Sequence, residues 1–292
     1  MSILGSVQNG GQFQAGQRIV IAAQEKMGKT TTAMGAPNAL LVPLETDNVA
    51  LTRYRHVPPK NLPDWSSVMA LCEELRQAAM RGQIGRGSTI VWDSGSALER
   101  FIHQYVIMTS PEAEACRKQR LPIPAALTME TAHGGFGKAY PKANDEFSKW
   151  TRYQDELSAY GGINIVVTCH VFASRVVDPA HGEFDTWDLL LHSPKNNKTY
   201  GKRELMTQWA DMIGFLHEPM FVMDAEKGKS LSRGMSQNQG RVLAVDRTPA
   251  WVAGNRYGMT GTLPIPLQGG WNAIAHAIHG ATGGMIDVYN KA

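Results

Sequence analysis

The chain has 292 residues, 43% hydrophobic and 19% charged, with a formal net charge of +3. That balance suits a globular protein with a sizeable core and excludes a low-complexity or strongly charged tail-like chain. Three scattered cysteines, Cys72, Cys116 and Cys169, exclude a disulfide framework or a Cys-based zinc site, and no apolar run reaches the roughly 18 residues a membrane helix needs. The first residues show neither a basic start nor a long apolar stretch, so no signal peptide and a soluble, cytoplasmic protein are expected.

Residues 1–17 are rich in Gly, Gln and Ser and read as a peripheral N-terminal segment. Residues 18–23 (RIVIAA) form a short β-branched run, expected as a buried strand, which leads into a loop and helix start at QEKMGKTTTAM. A second strand is expected at 39–44, ending at Pro43. Residues 64–81 carry the apolar spacing of a helix, 88–93 (STIVWD) a strand, 97–108 a helix, 141–160 a helix and 163–169 (INIVVTC) a strand. Between them, 109–140 reads as irregular, with prolines 122 and 124 and the Gly-rich HGGFGK at 133–138. Alternating strand and helix argue for a mostly parallel sheet covered on both faces. Beyond 170, alternation at 184–191, a basic turn region at 195–202, a helix at 204–213 and short strand-like runs at 215–223, 241–246 and 251–253 suggest an antiparallel extension. Residues 228–240 read as a loop. The expected organisation is an N-terminal segment (1–17), a core (18–270) and a C-terminal helix or tail (271–292).

Chemistry concentrates at Ala23-Gln24-Glu25-Lys26-Met27-Gly28-Lys29-Thr30, with Thr31 behind it. It matches the P-loop pattern G-x-x-x-x-G-K-[ST], except that Ala23 stands at the first Gly. A strand before it and a helix after it place backbone N–H groups around phosphates, Lys29 on the β- and γ-phosphates, and the Thr30 hydroxyl on Mg²⁺. Asp93 ends an apolar strand and suits an Mg²⁺-supporting carboxylate. Glu45 ends the second strand and suits a general base that orients water, with Asp47 as a competitor. His170 ends the 163–169 strand and could feel the γ-phosphate. His276 and His279 share helical spacing but have no third ligand nearby, so they read as structural. Basic residues gather in two groups, Arg117, Lys118 and Arg120, then Arg175, Lys195, Lys198, Lys202 and Arg203. They could neutralise nucleic-acid phosphates, with Phe136, Trp187 and Tyr200 as stacking rings, although solvated surface charge is the simpler reading of any one of them.

These pieces, in this order, resemble a RecA-fold ATPase, and among such proteins the Sak-type phage recombinases that assist single-strand annealing. The likeness rests on EKMGKTT, Glu45, IVWDS, GFGKAYPKANDEFSKW before INIVVTCH, FDTWDLLL and WADMIGFL. Near the end, Asn255-Arg256-Tyr257-Gly258 is similar to the K-N-R-F-G motif of RadA proteins, with Gly254 where that motif has Lys. The resemblance implies an α/β RecA-like core, ATP and Mg²⁺ as cofactors, single-stranded DNA as partner and a homo-oligomer with ATP between subunits. It also implies Glu45 as the water-activating base, His170 as γ-phosphate sensor and Arg256 as an arginine finger acting on a neighbour's ATP. A single-strand DNA-binding protein is a further implied partner, no membrane is involved, and the site of action is the host cytoplasm if the chain is phage-encoded. The competing expectation is a nucleotide-switched assembly protein with no role for DNA.

Overall fold

The computed structural model describes residues 15–45, 49–178, 182–194, 200–223, 233–236 and 240–289. Five strands run parallel: β1 (Arg18–Ala23), β2 (Leu40–Pro43), β3 (Thr89–Asp93), β4 (Asn164–Asp178) and β6 (Met212–His217). Their order across the sheet is β6-β1-β4-β3-β2. Two strands, β9 (Arg241–Ala244) and β11 (Thr262–Ile265), continue it antiparallel beyond β6, and β10 (Gly254–Asn255) pairs with the start of β6. The fold is thus the mostly parallel α/β sheet covered on both faces that the alternation predicts, with antiparallel strands at one edge.

The period-2 pattern of β1 explains why the sheet needs cover on both sides. Val20 and Ala22 point into one apolar layer, and Ile19, Ile21 and Ala23 into the other; all five are fully buried. The first layer is closed by α2 (Trp65–Met80), α3 (Gly95–Met108), α5 (Ala139–Ala159) and α6 (Lys202–Trp209). Trp92 meets Trp150 edge-on at 5.5 Å, and its indole N–H donates to buried Gln154 at 3.0 Å, so neither polar group is left without a partner. The second layer is closed by α1 (Lys29–Ala33) and α7 (Gly270–Ala281), whose Trp271, Ile274 and Ile278 are fully buried. The helix at the head of the expected tail therefore packs as one of the core's covering layers.

The structure departs from the sequence reading in several places: the helix expected at 204–213 ends at Trp209, the run at 251–253 forms only isolated bridges at Trp251, and four further differences bear on the architecture. Residues 111–118, taken as irregular, form α4 (Pro111–Lys118). Its signals are local: Ser110 caps Ala113 N, Pro111 opens the helix, Glu112 and Glu114 sit in the first turn, and Arg117 and Lys118 in the last. The strand expected to stop at 169 continues to Asp178, because β5 (Gly182–Leu189) pairs along it as an antiparallel ribbon. The run expected at 215–223 as antiparallel splits into β6, which is parallel to β1, and β7 (Met220–Met223). Within the expected 228–240 loop, β8 (Arg233–Ser236) pairs with β7. Among the described residues, no helix is long and apolar enough to cross a membrane.

Candidate nucleotide site

Parallel strands deliver their C-terminal ends to one edge of the sheet, where ligands of such folds bind. Adjacent register puts Ala23 beside His170 across β1 and β4, and Asp93 beside Thr168 across β3 and β4. A cavity of about 320 Å³ opens there, lined by Lys26, Gly28, Lys29, Thr30, Glu45, Asp93 and His170 among others.

The loop after β1 turns through left-handed backbone at Lys26 (φ 60°) and Gly28 (φ 84°). Ala23 is not among the left-handed residues, so the pattern's first Gly is dispensable here on backbone grounds. Gly28 is different: at φ 84° any other side chain is strained, and a Cβ there would also displace the Arg241 guanidinium, 1.9 Å away. Arg241, 8% exposed, donates to Met27 O at 2.7 Å and to Pro266 O at 2.9 Å. It thus ties the loop to the antiparallel edge 214 residues away in sequence. No local pattern marked Arg241, since its role exists only once β9 has paired with β6.

Lys29 is nearly buried, and its ammonium donates to Ala23 O (3.1 Å) and Gln24 O (2.8 Å). Burial pushes its pKa below the ordinary value, opposed mainly by Asp93 and Glu45. Thr30 Oγ1 donates to Asp93 Oδ2 at 2.9 Å, and Thr168 donates to the other oxygen of that carboxylate. Glu45 Oε1 accepts from Ser94 Oγ at 2.6 Å and from His170 Nε2 at 3.0 Å. Those partners, His170 foremost, hold the Glu45 carboxyl at about 2 despite partial burial. His170 Nδ1 faces Lys29 Nζ at 3.4 Å. Lys29, His170, Glu45 and Ser94 therefore form one continuous chain of polar contacts, and Ser94 also caps α3 through Ala97 N. The far wall holds Ala50, Arg53 and Tyr54, which the sequence reading passed over. Their distance from any motif, and the 3-10 turn Val49–Thr52 that brings them in, left no signal. Gln24, Glu25, Met27 and Thr31 follow the loop; Asp47 lies outside the described residues. His276 bonds to Tyr289, away from this edge.

A family model described as an AAA domain matches residues 15–257. The chain belongs to this family. Comparison with the curated proteins returns no match. As an AAA domain it carries a P-loop ATPase site, and the match spans every segment that lines the cavity, from the loop after β1 to His170 in β4.

The remaining expected site residues of this AAA domain scatter. Arg256 lies at the opposite, N-terminal end of the sheet, donating to Asp211 Oδ1 at 2.9 Å and to Gln208 O. Asp211 also clamps Arg18, the first residue of β1. With about 3.3 Å of rise per strand residue, the length of β1 separates Arg256 from its own P-loop by roughly 17 Å. Arg256 therefore does not reach the P-loop of its own chain. Arg175 projects from the ribbon, paired with Asp185 and Glu183; Lys118 pairs with Glu114; Arg117 donates to Met108 O; Arg120 is exposed. Lys195 and Lys198 lie outside the described residues. Trp187 is stacked on Phe215 in a ring cluster with Trp251, whereas Phe136 and Tyr200 are exposed.

Lys202 and Arg203 are corrections. Lys202 is fully buried, 3.3 Å from Glu99, and cannot reach a ligand in solvent. Arg203 is spent on Asp188 (2.6 Å) and Glu204 (3.0 Å). Both sit where α6 docks on α5 and α3, which turned basic residues inward. Glu99 also accepts from His192 N at 2.7 Å. Removing Lys202 strands a desolvated carboxylate, so Lys202→Ala should cost about 3–5 kcal/mol. Chemical denaturation is the measurement; an unchanged midpoint would show that the pair carries no stability.

Proposed function

We propose that this AAA domain is an ATP-hydrolysing, Sak-type recombination protein that binds single-stranded DNA and supports annealing or strand exchange. The observation that carries the hydrolysis half is the convergence of Lys29, Thr30, Glu45, Asp93 and His170, from the ends of β1, β2 and β3 and from within β4, on one cavity. The motifs shared with the Sak-type group support the DNA half.

The residues present fit Mg²⁺. Thr30 Oγ1 and Asp93 Oδ2 stand together, and hard oxygen donors in such small number suit an ion that keeps several waters and takes the rest from phosphate. Bound there, the ion neutralises phosphate charge. Lys29 leaves the Ala23 and Gln24 carbonyls for the β- and γ-phosphates, while the backbone at Gly28 cradles them. Tyr54 offers a flat, half-buried surface at the wall for the base. Glu45 accepts the proton of the attacking water as its oxygen bonds to the γ-phosphorus and ADP departs.

A carboxylate held near 2 is a weak base. Glu45 becomes competent when His170 turns from it toward the γ-phosphate, which makes the resting site self-restrained. The same α3 that presents Ser94 and Ser96 to Glu45 and His170 carries Glu99 one turn on, bonded to the segment entering residues 195–199. That path supports DNA-dependent release of Glu45. Hydrolysis measured with and without oligo(dT) tests the reading: the rate should rise several-fold with DNA. A rate and a DNA affinity of zero response would instead favour the nucleotide-switched assembly protein, for which the restrained Glu45 is equally suited.

A further inference from the structure

We propose that the turn at residues 133–137 is a stacking platform for the bases of a single-stranded nucleic acid, with Phe136 as the stacking ring. This rests on the single-stranded DNA reading and says where the strand lies.

Five consecutive residues are left-handed: His133 (φ 59°), Gly134 (85°), Gly135 (76°), Phe136 (56°) and Gly137 (70°). Glycine adopts this backbone freely, but for His133 and Phe136 it is strained, and such strain persists only where the surroundings over-determine it. They do so here. The Glu112 carboxylate accepts both His133 N (3.0 Å) and Gly134 N (2.7 Å). His133 Nε2 donates to Val106 O at 3.0 Å, Gly137 N donates to Glu130 O at 3.1 Å, and Tyr140 OH donates to the Glu130 carboxylate at 3.0 Å. What this framework displays is Phe136, 97% exposed.

The surroundings choose the occupant. A protein hot spot sits in a desolvated apolar patch. Phe136 instead stands among glycines: a Cβ on Gly135 would meet nothing nearer than Glu130 O at 4.0 Å, and one on Gly134 only Lys138 Nζ at 3.7 Å. Its ring faces are therefore open, as stacking on a base requires. Of the acids nearest the turn, Glu114 is paired with Lys118, and Glu112 and Glu130 accept hydrogen bonds from within the turn and from Tyr140. Lys138, Lys142 and Arg120 have no ion pair among the described residues, which leaves positive charge for phosphates. A second exposed ring is fastened close by. The turn runs into the first turn of α5, and Asn144 in the second turn donates to Tyr200 O at 2.8 Å. Tyr140 stacks on His192 at 3.9 Å, so the segments flanking residues 195–199 and the turn share one side of the molecule.

The test is anisotropy of labelled oligo(dT) on the full chain with ATP, comparing wild type, Phe136→Ala, Phe136→Leu and Phe136→Tyr. Loss of one stacked base weakens binding by about tenfold or more. Alanine and leucine should both show this, tyrosine should stay within about twofold, and the salt dependence should keep its slope, because stacking releases no counterions. Melting temperature and DNA-free hydrolysis should not move. Equal affinity of wild type and Phe136→Ala overturns the platform while leaving the DNA reading intact. Wild type that does not bind the oligonucleotide overturns both. Loss of DNA affinity that Phe136→Leu restores, or that accompanies a smaller oligomer in gel filtration without DNA, assigns the ring to a protein contact and overturns the platform.

Discussion

Lys29→Met weakens ATP binding and removes measurable hydrolysis while leaving the nucleotide-free protein folded. The ammonium lies buried against two loop carbonyls, with Asp93 and Glu45 as the charges that oppose its desolvation. It is a cation held ready for a phosphate. Losing charge-assisted hydrogen bonds to phosphate weakens binding by about 10- to 100-fold, and losing a donor to the developing transition-state charge lowers turnover by a further ~10²–10³-fold. The methionine has nearly the same length and removes a buried charge, a change that is often neutral or stabilising. The sign follows from the lowered pKa. Holding this lysine charged costs stability at pH values below its folded pKa, and the cost fades as pH rises through it. The melting temperature without ligand should thus shift little. Wild type at 100 times its Kd gains about 2.7 kcal/mol, and the variant at the same ATP concentration gains only about 0.4–1.4 kcal/mol. Active Lys29→Met protein would sink the assignment of this loop to phosphate.

Glu45→Gln separates binding from hydrolysis. The amide keeps an oxygen that can accept from Ser94 and His170 but cannot take a proton from water. Hydrolysis should fall by about 10²–10⁴-fold with ATP affinity within about twofold and the ATP-induced rise in melting temperature retained. A carboxyl at about 2 is ionised throughout the working range, so Glu45 in the free enzyme supplies no acid limb to kcat/KM above pH 4. Its depressed pKa stabilises the fold above the ordinary carboxylate value of 4.5, and that contribution is lost as pH falls through 2. The stability difference between wild type and Glu45→Gln should shrink over that window in acid titrations followed by circular dichroism. A variant that hydrolyses at the wild-type rate would place the base elsewhere.

The two variants probe different links of one chain of contacts. In the proposed mechanism Lys29 governs nucleotide binding, and Glu45 whether bound nucleotide is cut. His170 touches both, at 3.4 Å and 3.0 Å, so the proposed mechanism routes occupancy of the first to the second through it.

The sequence by itself determined what depends on neighbours along the chain. A β-branched run at 18–23 makes a strand wherever it is buried, and Gly28-Lys29-Thr30 after it makes a phosphate loop. Asp93, Glu45 and His170 could be singled out because each directly follows an apolar run; for Asp93 and Glu45 that run ends the strand, whereas His170 lies within β4, which runs on to Asp178. Even the missed α4 was legible in principle, since Ser110-Pro111 and the charge order of the helix are local signals that the prolines and glycines after it obscured. Tertiary structure decided what depends on partners far away. The reach of β4 to Asp178 follows from pairing with β5, not from its own composition. The direction of β6 follows from lying beside β1, a choice that short apolar runs do not encode. Lys202 and Arg203 read as exposed basic charge until α6 docked and gave them Glu99, Asp188 and Glu204. Arg241 joined the phosphate loop only because an antiparallel strand carries it beneath Gly28. Which lysines face solvent, and which glycine has no room for a Cβ, are properties of packing, fixed by contacts between residues that the chain keeps up to 214 positions apart.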